Sequence, residues 1–242
     1  MLRSAVNPFA SPDAASGYED WYETTGRRAD RLEKALLRQM VAHFPQAGSL
    51  LEVGCGTGHF TRGFKGLGLQ TWGLDLSLPM LVEAIRLGSV RCIHSDALAL
   101  PFSTAAFDLV ALITTLEFVA DPVQTLGEAL RVCRQGLLLG VLNRQSLLGW
   151  QLTKRGGPIW DKARFFTPAE LTHLVRRATT GERIETVWRT TLWPGYPGAL
   201  PLPWGGFIGM AVMLPDEGGD YDRDRSSGQS ISFATGNPFA SH

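Results

Sequence analysis

Apolar and polar positions fall into blocks along this chain, and the block lengths predict its elements. Residues 27–44, RRADRLEKALLRQMVAHF, space Leu32, Leu36 and Met40 four apart with Leu37 and Val41 alongside, which predicts an amphipathic helix. SLLEV (49–53) is apolar but too short for a helix and predicts a buried strand. The same reasoning gives strands at LQTWGLD (69–75), VRCIH (90–94), FDLVALI (107–113) and GLLLGVL (136–142). Helices are predicted between them at 58–66, 78–87 and 122–134. Apolar strands alternating with helices imply an α/β fold, a parallel sheet covered on both faces.

After residue 143 the rhythm changes. FFTPAELTHLVRRA offers Thr167 as N-cap, Pro168 in the first turn and Glu170 to complete a capping box, so a helix follows. RIETVWRTTLW (183–193) and GFIGMAVML (206–214) predict two more strands. Residues 194–214 carry no charge and raise the question of a membrane span. Pro194, Pro197, Pro201 and Pro203 would break the helix a bilayer demands, so the stretch predicts a proline-rich loop running into a strand. From Pro215 the chain is polar and glycine-rich, which predicts a disordered tail over 215–242. The domain plan is then a partly flexible lid segment at 1–26, one domain over 27–214, and the tail. The pentapeptide NPFAS occurs at both 7–11 and 237–241, and no function is assigned to it.

Composition narrows the classes. A length of 242 residues suits one sizeable domain, and 44% hydrophobic against 19% charged residues allows a core. Basic and acidic residues balance at 23 each, which disfavours a nucleic-acid partner held through phosphates. Cys55, Cys92 and Cys133 form no CxxC pair, so the expectation is a reducing compartment and no cysteine-based metal site. MLRSAVNPFASPD lacks a signal-peptide core, and a cytoplasmic location is expected.

The chemistry concentrates in LLEVGCGTGHF (50–60), where Gly54, Gly56 and Gly58 alternate behind a strand. A dinucleotide site wants G-x-G-x-x-G, and His59 occupies the place of its third glycine. Glu52 at the strand end would repel a pyrophosphate but suits a ligand with ammonium and sulfonium charges. About twenty residues on, Asp75 ends the second strand, where an acid accepts from both ribose hydroxyls. Asp96 sits just past the third strand and is a candidate for an adenine amino group. Three acids on successive strand ends line one sheet edge, and S-adenosylmethionine (SAM) fits them better than a nicotinamide dinucleotide. An NAD-dependent dehydrogenase therefore fails on glycine register and on Glu52.

LLEVGCGTGHFT, GLDLSLPML, SDALALPFSTAAFDLV and LEFVADPVQTLGEALRVCRQG, in this order, resemble the motifs of class I SAM-dependent methyltransferases. The similarity covers roughly 45–145 and is greatest to the small-molecule branch that includes ubiquinone/menaquinone-type enzymes. It implies a Rossmann-like, seven-stranded, mostly parallel sheet with helices on both faces and the last strand antiparallel. It implies methyl transfer from SAM to an oxygen, nitrogen or carbon atom of a small, apolar or aromatic acceptor, leaving S-adenosylhomocysteine. Carried over by motif, Gly54, Gly56 and Gly58 flank the methionine part, with Cys55 a small filler in the same loop, and Glu52 orients the loop. Asp75 holds the ribose, Leu76 and Met80 pack near adenine, and Asp96 with Ala97 reads the adenine edge. Thr114 faces the methionine carboxylate or the acceptor.

Displacement at a sulfonium carbon needs alignment more than a nucleophilic protein residue. Relatives often carry histidine where this chain has Phe118, which leaves Glu117 as candidate base or acceptor anchor. A surface or helix-capping carboxylate before Asp121-Pro122 explains Glu117 equally well. LITTLEF replaces the Asn/Asp-Pro-Pro-aromatic motif of enzymes acting on adenine or glutamine amino groups, which excludes those substrates. Tyr18, Trp21 and Tyr22 share one helical face, as a lid over a cationic sulfonium or as simple docking onto the core. Analogy puts acceptor-pocket elements in the Trp193–Trp204 run, and a rigid surface loop is the competing reading. Arg27 or Arg28 could meet a carboxylate, though solvation is commoner, and His59 reads as the first turn of a helix. A SAM-binding scaffold or regulator without turnover is the alternative function. No metal is expected.

Overall fold

The computed structural model describes residue 9 and residues 11–88, 91–179 and 183–215. The tail beyond 215, the second NPFAS copy and most of the first lie outside the described residues. Seven strands are present among the described residues: β1 (Ser49–Val53), β2 (Gln70–Asp75), β3 (Arg91–His94), β4 (Phe107–Ile113), β5 (Cys133–Leu142), β6 (Glu185–Thr191) and β7 (Phe207–Met213). Their order in one sheet is β3-β2-β1-β4-β5-β7-β6. The pairs β1–β2, β2–β3, β1–β4 and β4–β5 are parallel, and β7 runs antiparallel to both β5 and β6. This is the Rossmann-like α/β sheet expected, with its last strand reversed.

Strand alternation divides the core into two. Leu50 pairs with Leu109 and Leu51 with Val110. Because successive side chains point to opposite faces, Leu50, Leu109, Ala111 and Leu138 enter one cluster. Leu51, Val110, Leu112 and Leu139 enter the other. The first face is covered by α2 (Arg27–Val41) through Leu36, Leu37 and Met40 and by α3 (His59–Lys65) through Phe60 and Phe64. The second is covered by α5 (Pro122–Val132) and α7 (Pro168–Ala178). The helix α4 (Leu78–Arg86) flanks β2 and β3, and α1 (Pro12–Glu23) lies against α2 and α4. Thr167 and Glu170 make the expected capping box at the head of α7. Among the described residues no helix is long and apolar enough to cross a membrane.

Two departures have local causes. β5 begins at Cys133 rather than 136, because Cys133 already pairs with Phe107 and Arg134 forks onto Asp108 at 2.7 and 3.0 Å. A helix not foreseen, α6 (Leu147–Arg155), starts on Ser146, whose hydroxyl accepts from Gly149 N. It leaves Leu147 and Trp150 exposed, so it carries little of the apolar periodicity that marks a helix in sequence.

Candidate active site

The glycine loop leaves β1 with three left-handed residues, Gly54 (φ 74°), Gly56 (φ 53°) and Gly58 (φ 77°). Only glycine takes such angles without penalty. Gly54 has a second reason, since a Cβ there would meet Thr115 Cγ2 at 2.4 Å. Gly56 has the opposite setting: a Cβ would meet nothing within 4 Å, and its bare backbone borders a cavity of about 690 Å³. The loop is tied to β2 because Gly54 N and Cys55 N both donate to Leu74 O, at 2.7 and 3.0 Å.

Asp75 completes that tie. Its Oδ2 accepts from Gly56 N at 2.8 Å and its Oδ1 from Ser77 N at 2.7 Å. Burial pushes its carboxyl up, against the backbone N–H groups of Ser77, Gly56 and Leu76 that pull it down. Each carboxylate oxygen can accept more than one bond, so Asp75 still offers acceptors to the cavity it lines. Met80 and Thr114 also line it, Thr114 with a left-handed φ of 49° held by its N–H to Gly140 O at 2.7 Å.

Other expected site residues lie elsewhere. Glu52 is buried behind the loop, where it accepts from Thr61 Oγ1 of α3, and burial pushes it up to about 8. It braces α3 on β1 rather than facing the cavity. Cys55 is buried with its thiol packed beneath Gly73, and burial raises it further, so it is the inert filler expected. Gly58 caps α3. Leu76 is exposed, and its carbonyl meets His94 Nε2 at 3.0 Å. Asp96 is exposed and accepts from Leu98 N, while Ala97 packs on the core, so neither enters the cavity wall.

Glu117 is neither a surface nor a capping carboxylate. It is 2% exposed, and Asp121 itself caps α5 by accepting from Val123 N and Gln124 N. Oε1 of Glu117 accepts from Leu142 N at 2.7 Å, and Oε2 has no partner among the described residues. Burial pushes this carboxyl up to about 8, against the hydrogen bond from Leu142. It sits just behind wall residues Thr114, Phe118 and Leu142 rather than in the wall.

The aromatic face of α1 closes the cavity. Tyr18, Trp21 and Tyr22 all line it, and the Tyr18 and Tyr22 hydroxyls lie 3.2 Å apart. Phe9 packs edge-on to Phe118 with ring centroids at 5.1 Å, and its carbonyl accepts from Ser77 Oγ at 2.7 Å. Tyr22 both lines the cavity and belongs to the buried cluster, so this face of α1 docks on the core.

Three acids and one wall escaped the sequence. Glu19 accepts from Arg62 Nη2 and Thr57 Oγ1. Burial alone would raise its carboxyl, yet His59, Thr57 and Arg62 together hold it at about 2. Asp30 meets His59 Nε2 at 2.7 Å, and Glu33 is buried in the cavity wall. Glu19 shares a face with Ala15, Tyr18 and Tyr22, and Glu33 shares one with Leu36, Leu37 and Met40. An acid inside an apolar helical stripe was the signal available. The far wall comes from Arg155–Trp160 and not, as analogy suggested, from Trp193–Trp204. That run folds back on β6, with Thr190 Oγ1 donating to Leu202 O at 2.6 Å and Thr190 bridging Leu200. Arg28 serves it by donating to Trp193 O, and Arg27 donates to Glu23 O.

Residues 51–139 match a family described as a methyltransferase domain. An uncharacterised protein of Mycobacterium tuberculosis is 36% identical over 190 residues, 75% of this chain and 62% of that protein. A malonyl-[acyl-carrier protein] O-methyltransferase of Erwinia billingiae is 31% identical over 163 residues, 64% of this chain and 61% of that one. The chain thus spans less than two thirds of the length of these relatives. The solved structure of a SAM-dependent methyltransferase of Thermotoga maritima, described as a possible histamine N-methyltransferase, superposes with a TM-score of 0.68 at 28% identity. It covers 84% of this chain and 98% of that one.

The residues present fit SAM. Bare backbone at Gly54 and Gly56 admits close approach, Asp75 supplies hydroxyl acceptors, and Met80 offers an apolar surface. Sheet order, glycine loop and the match over 51–139 agree, and residues 51–139 form the core of a methyltransferase domain of the class I, SAM-dependent kind.

Proposed function

We propose that this chain transfers a methyl group from SAM to a small apolar or aromatic molecule, chiefly by holding the two in line. The observation that carries the reading is the composition of one cavity. Gly54, Gly56, Asp75 and Met80 form one part of its wall, and Tyr18, Trp21, Phe118 and Trp160 form another. Bound there, SAM supplies a methyl on a sulfonium that is already activated for displacement. Asp75 accepts from the ribose hydroxyls while its backbone bonds keep the loop in place. Tyr18, Trp21 and Phe9 of the lid exclude water and press a flat acceptor into position. Glu117 is a positioning residue, since its bond to Leu142 N fixes the loop that carries Thr114 and Phe118. Balanced charge and three free cysteines support a small-molecule partner and a cytoplasmic setting.

The test is incubation with methyl-labelled SAM and a small-molecule extract of the host cells, with Asp75→Ala as control. Label entering an organic-soluble product supports the reading. Label confined to polar products corrects the acceptor class. SAM binding with no label in any fraction assigns the chain to the non-catalytic binders instead.

A further inference from the structure

Glu33 is the acid in the cavity that cofactor binding leaves unused. It projects from α2 into the same wall as Tyr18, Tyr22 and Trp21, and it is only 5% exposed. Neither of its oxygens takes a hydrogen bond from any described residue, whereas Glu19, Asp30, Glu52 and Asp75 have partners and Glu117, outside the cavity wall, has one on Oε1. The Glu33 carboxyl opens on the cavity without a protein donor, so the bond it can make there is with a group that enters the cavity.

Glu33 and Asp75 come from elements that pack on opposite sides of β1. α2 packs across β5, β7 and β6, on one side of β1, and Asp75 ends β2 on the other. The aromatic rings in this wall favour a cation over an anion, because the faces of such rings carry negative charge. Among the described residues Arg155 is the one cation in the wall, and it is exposed. Aromatic walls with an unpartnered acid select a protonated amine on an apolar body.

Resting on the methyl-transfer reading, we propose that Glu33 anchors the acceptor, and that the acceptor is an aromatic or apolar small molecule bearing a protonated amine. Burial, reinforced by Asp30, pushes the Glu33 carboxyl up to about 7, while His59 and Lys34 pull it back. An arriving ammonium therefore finds an acid that ionises readily for it near neutral pH.

The test uses the full chain in two stages. SAM is first titrated into wild type and Glu33→Gln by calorimetry. The S-adenosylhomocysteine-loaded proteins are then titrated with 2-phenylethylamine, 2-phenylethanol and 3-phenylpropionate. The expected order for wild type is amine, alcohol, carboxylate, with the amine ahead of the alcohol by about tenfold, the worth of one charge-assisted hydrogen bond. Glu33→Gln is expected to erase that lead while SAM affinity stays within about twofold. Glu33→Asp should restore part of it. Equal binding of amine and alcohol, tightest binding of the carboxylate, no binding of any probe, or a loss of SAM affinity in Glu33→Gln overturns the anchor. Failure of wild type to bind SAM would instead remove the methyl-transfer reading on which the anchor depends.

Discussion

The imidazole of His59 lies flat on the ring of Tyr22, with centroids 3.7 Å apart and planes 12° apart. One residue belongs to α3, the helix that follows the glycine loop, and the other to α1. The same imidazole reaches Asp30 on α2 at 2.7 Å and Glu19 on α1 at 3.4 Å. Arg62 closes the network with both Glu19 oxygens at 2.8 Å. The helices α1, α3 and α2 are therefore held by a single cluster, and the wall of the cavity depends on it.

That cluster should give α1 a pH-dependent grip on the core. Burial lowers the His59 pKa, but its bonds to Asp30 and Glu19 outweigh this and raise it above 6.5. The stability it adds is complete below 6.5 and is lost as pH rises through the raised value. Glu19, held at about 2 against an ordinary 4.5, adds stability that is present above 4.5 and lost toward 2. His59→Phe keeps an aromatic stack and removes the hydrogen bonds. Its melting temperature should fall below wild type most between pH 4.5 and 6.5, by roughly 1–3 kcal/mol in stability, and converge with it in alkali. A gap that stays constant from pH 4 to 9 would show that the cluster is held by packing alone.

The glycines of the loop make separable demands. Gly56→Ala should cost about 1–2 kcal/mol of left-handed strain and abolish the thermal shift given by SAM, because its Cβ would enter the cavity. Gly54→Ala adds a clash with Thr115 to the same strain and should lose clearly more stability. Melts with and without SAM distinguish them. A full SAM shift in Gly56→Ala would remove that residue from the cradle.

Asp75 should respond in two steps. Asparagine keeps one acceptor oxygen and must give up one of the bonds to Gly56 N and Ser77 N, and alanine gives up both. SAM affinity is expected to fall in the order wild type, Asp75→Asn, Asp75→Ala, with the alanine loss about 1–3 kcal/mol. Isothermal titration gives the order directly, and undiminished affinity in Asp75→Ala would dissociate the residue from the ribose.

Much of this was written locally. Strand runs such as SLLEV and FDLVALI, the Thr167/Glu170 box and the alternating glycines each encode their structure within a few residues. Glu33, Glu19 and Glu117 do not. Glu117 is buried by a bond to Leu142, 25 residues away, and His59 gains its partners only when α1 and α2 arrive. Family analogy put acceptor-pocket elements in the Trp193–Trp204 run, but Thr190 and Thr191 of β6 donate to its Leu202 and Gly198 carbonyls and hold it on the sheet edge. Gly156, Gly157 and Pro158, which do line the cavity, carry no periodic signal. Long-range approach, not local propensity, decides which side chains meet there.

Glu117 gives the last prediction. Its folded pKa, raised by burial to about 8 from 4.5, means that the stability it contributes is complete below 4.5 and is lost as pH rises through 8. Above that, an ionised carboxylate with one oxygen unpartnered is held in the core, at a cost of about 1.4 kcal/mol for every tenfold bias of its proton equilibrium toward the neutral acid. Glutamine keeps the oxygen that accepts from Leu142 N and cannot ionise, but it sets an amide N–H₂ where Oε2 finds no partner. Glu117→Gln should therefore be somewhat less stable than wild type at pH 5 and gain on it steadily as pH rises, crossing before pH 9. Denaturant titrations across that range measure the difference. A difference that does not move with pH would mean that Glu117 is already ionised in the folded protein at pH 5, with a cation or water meeting Oε2.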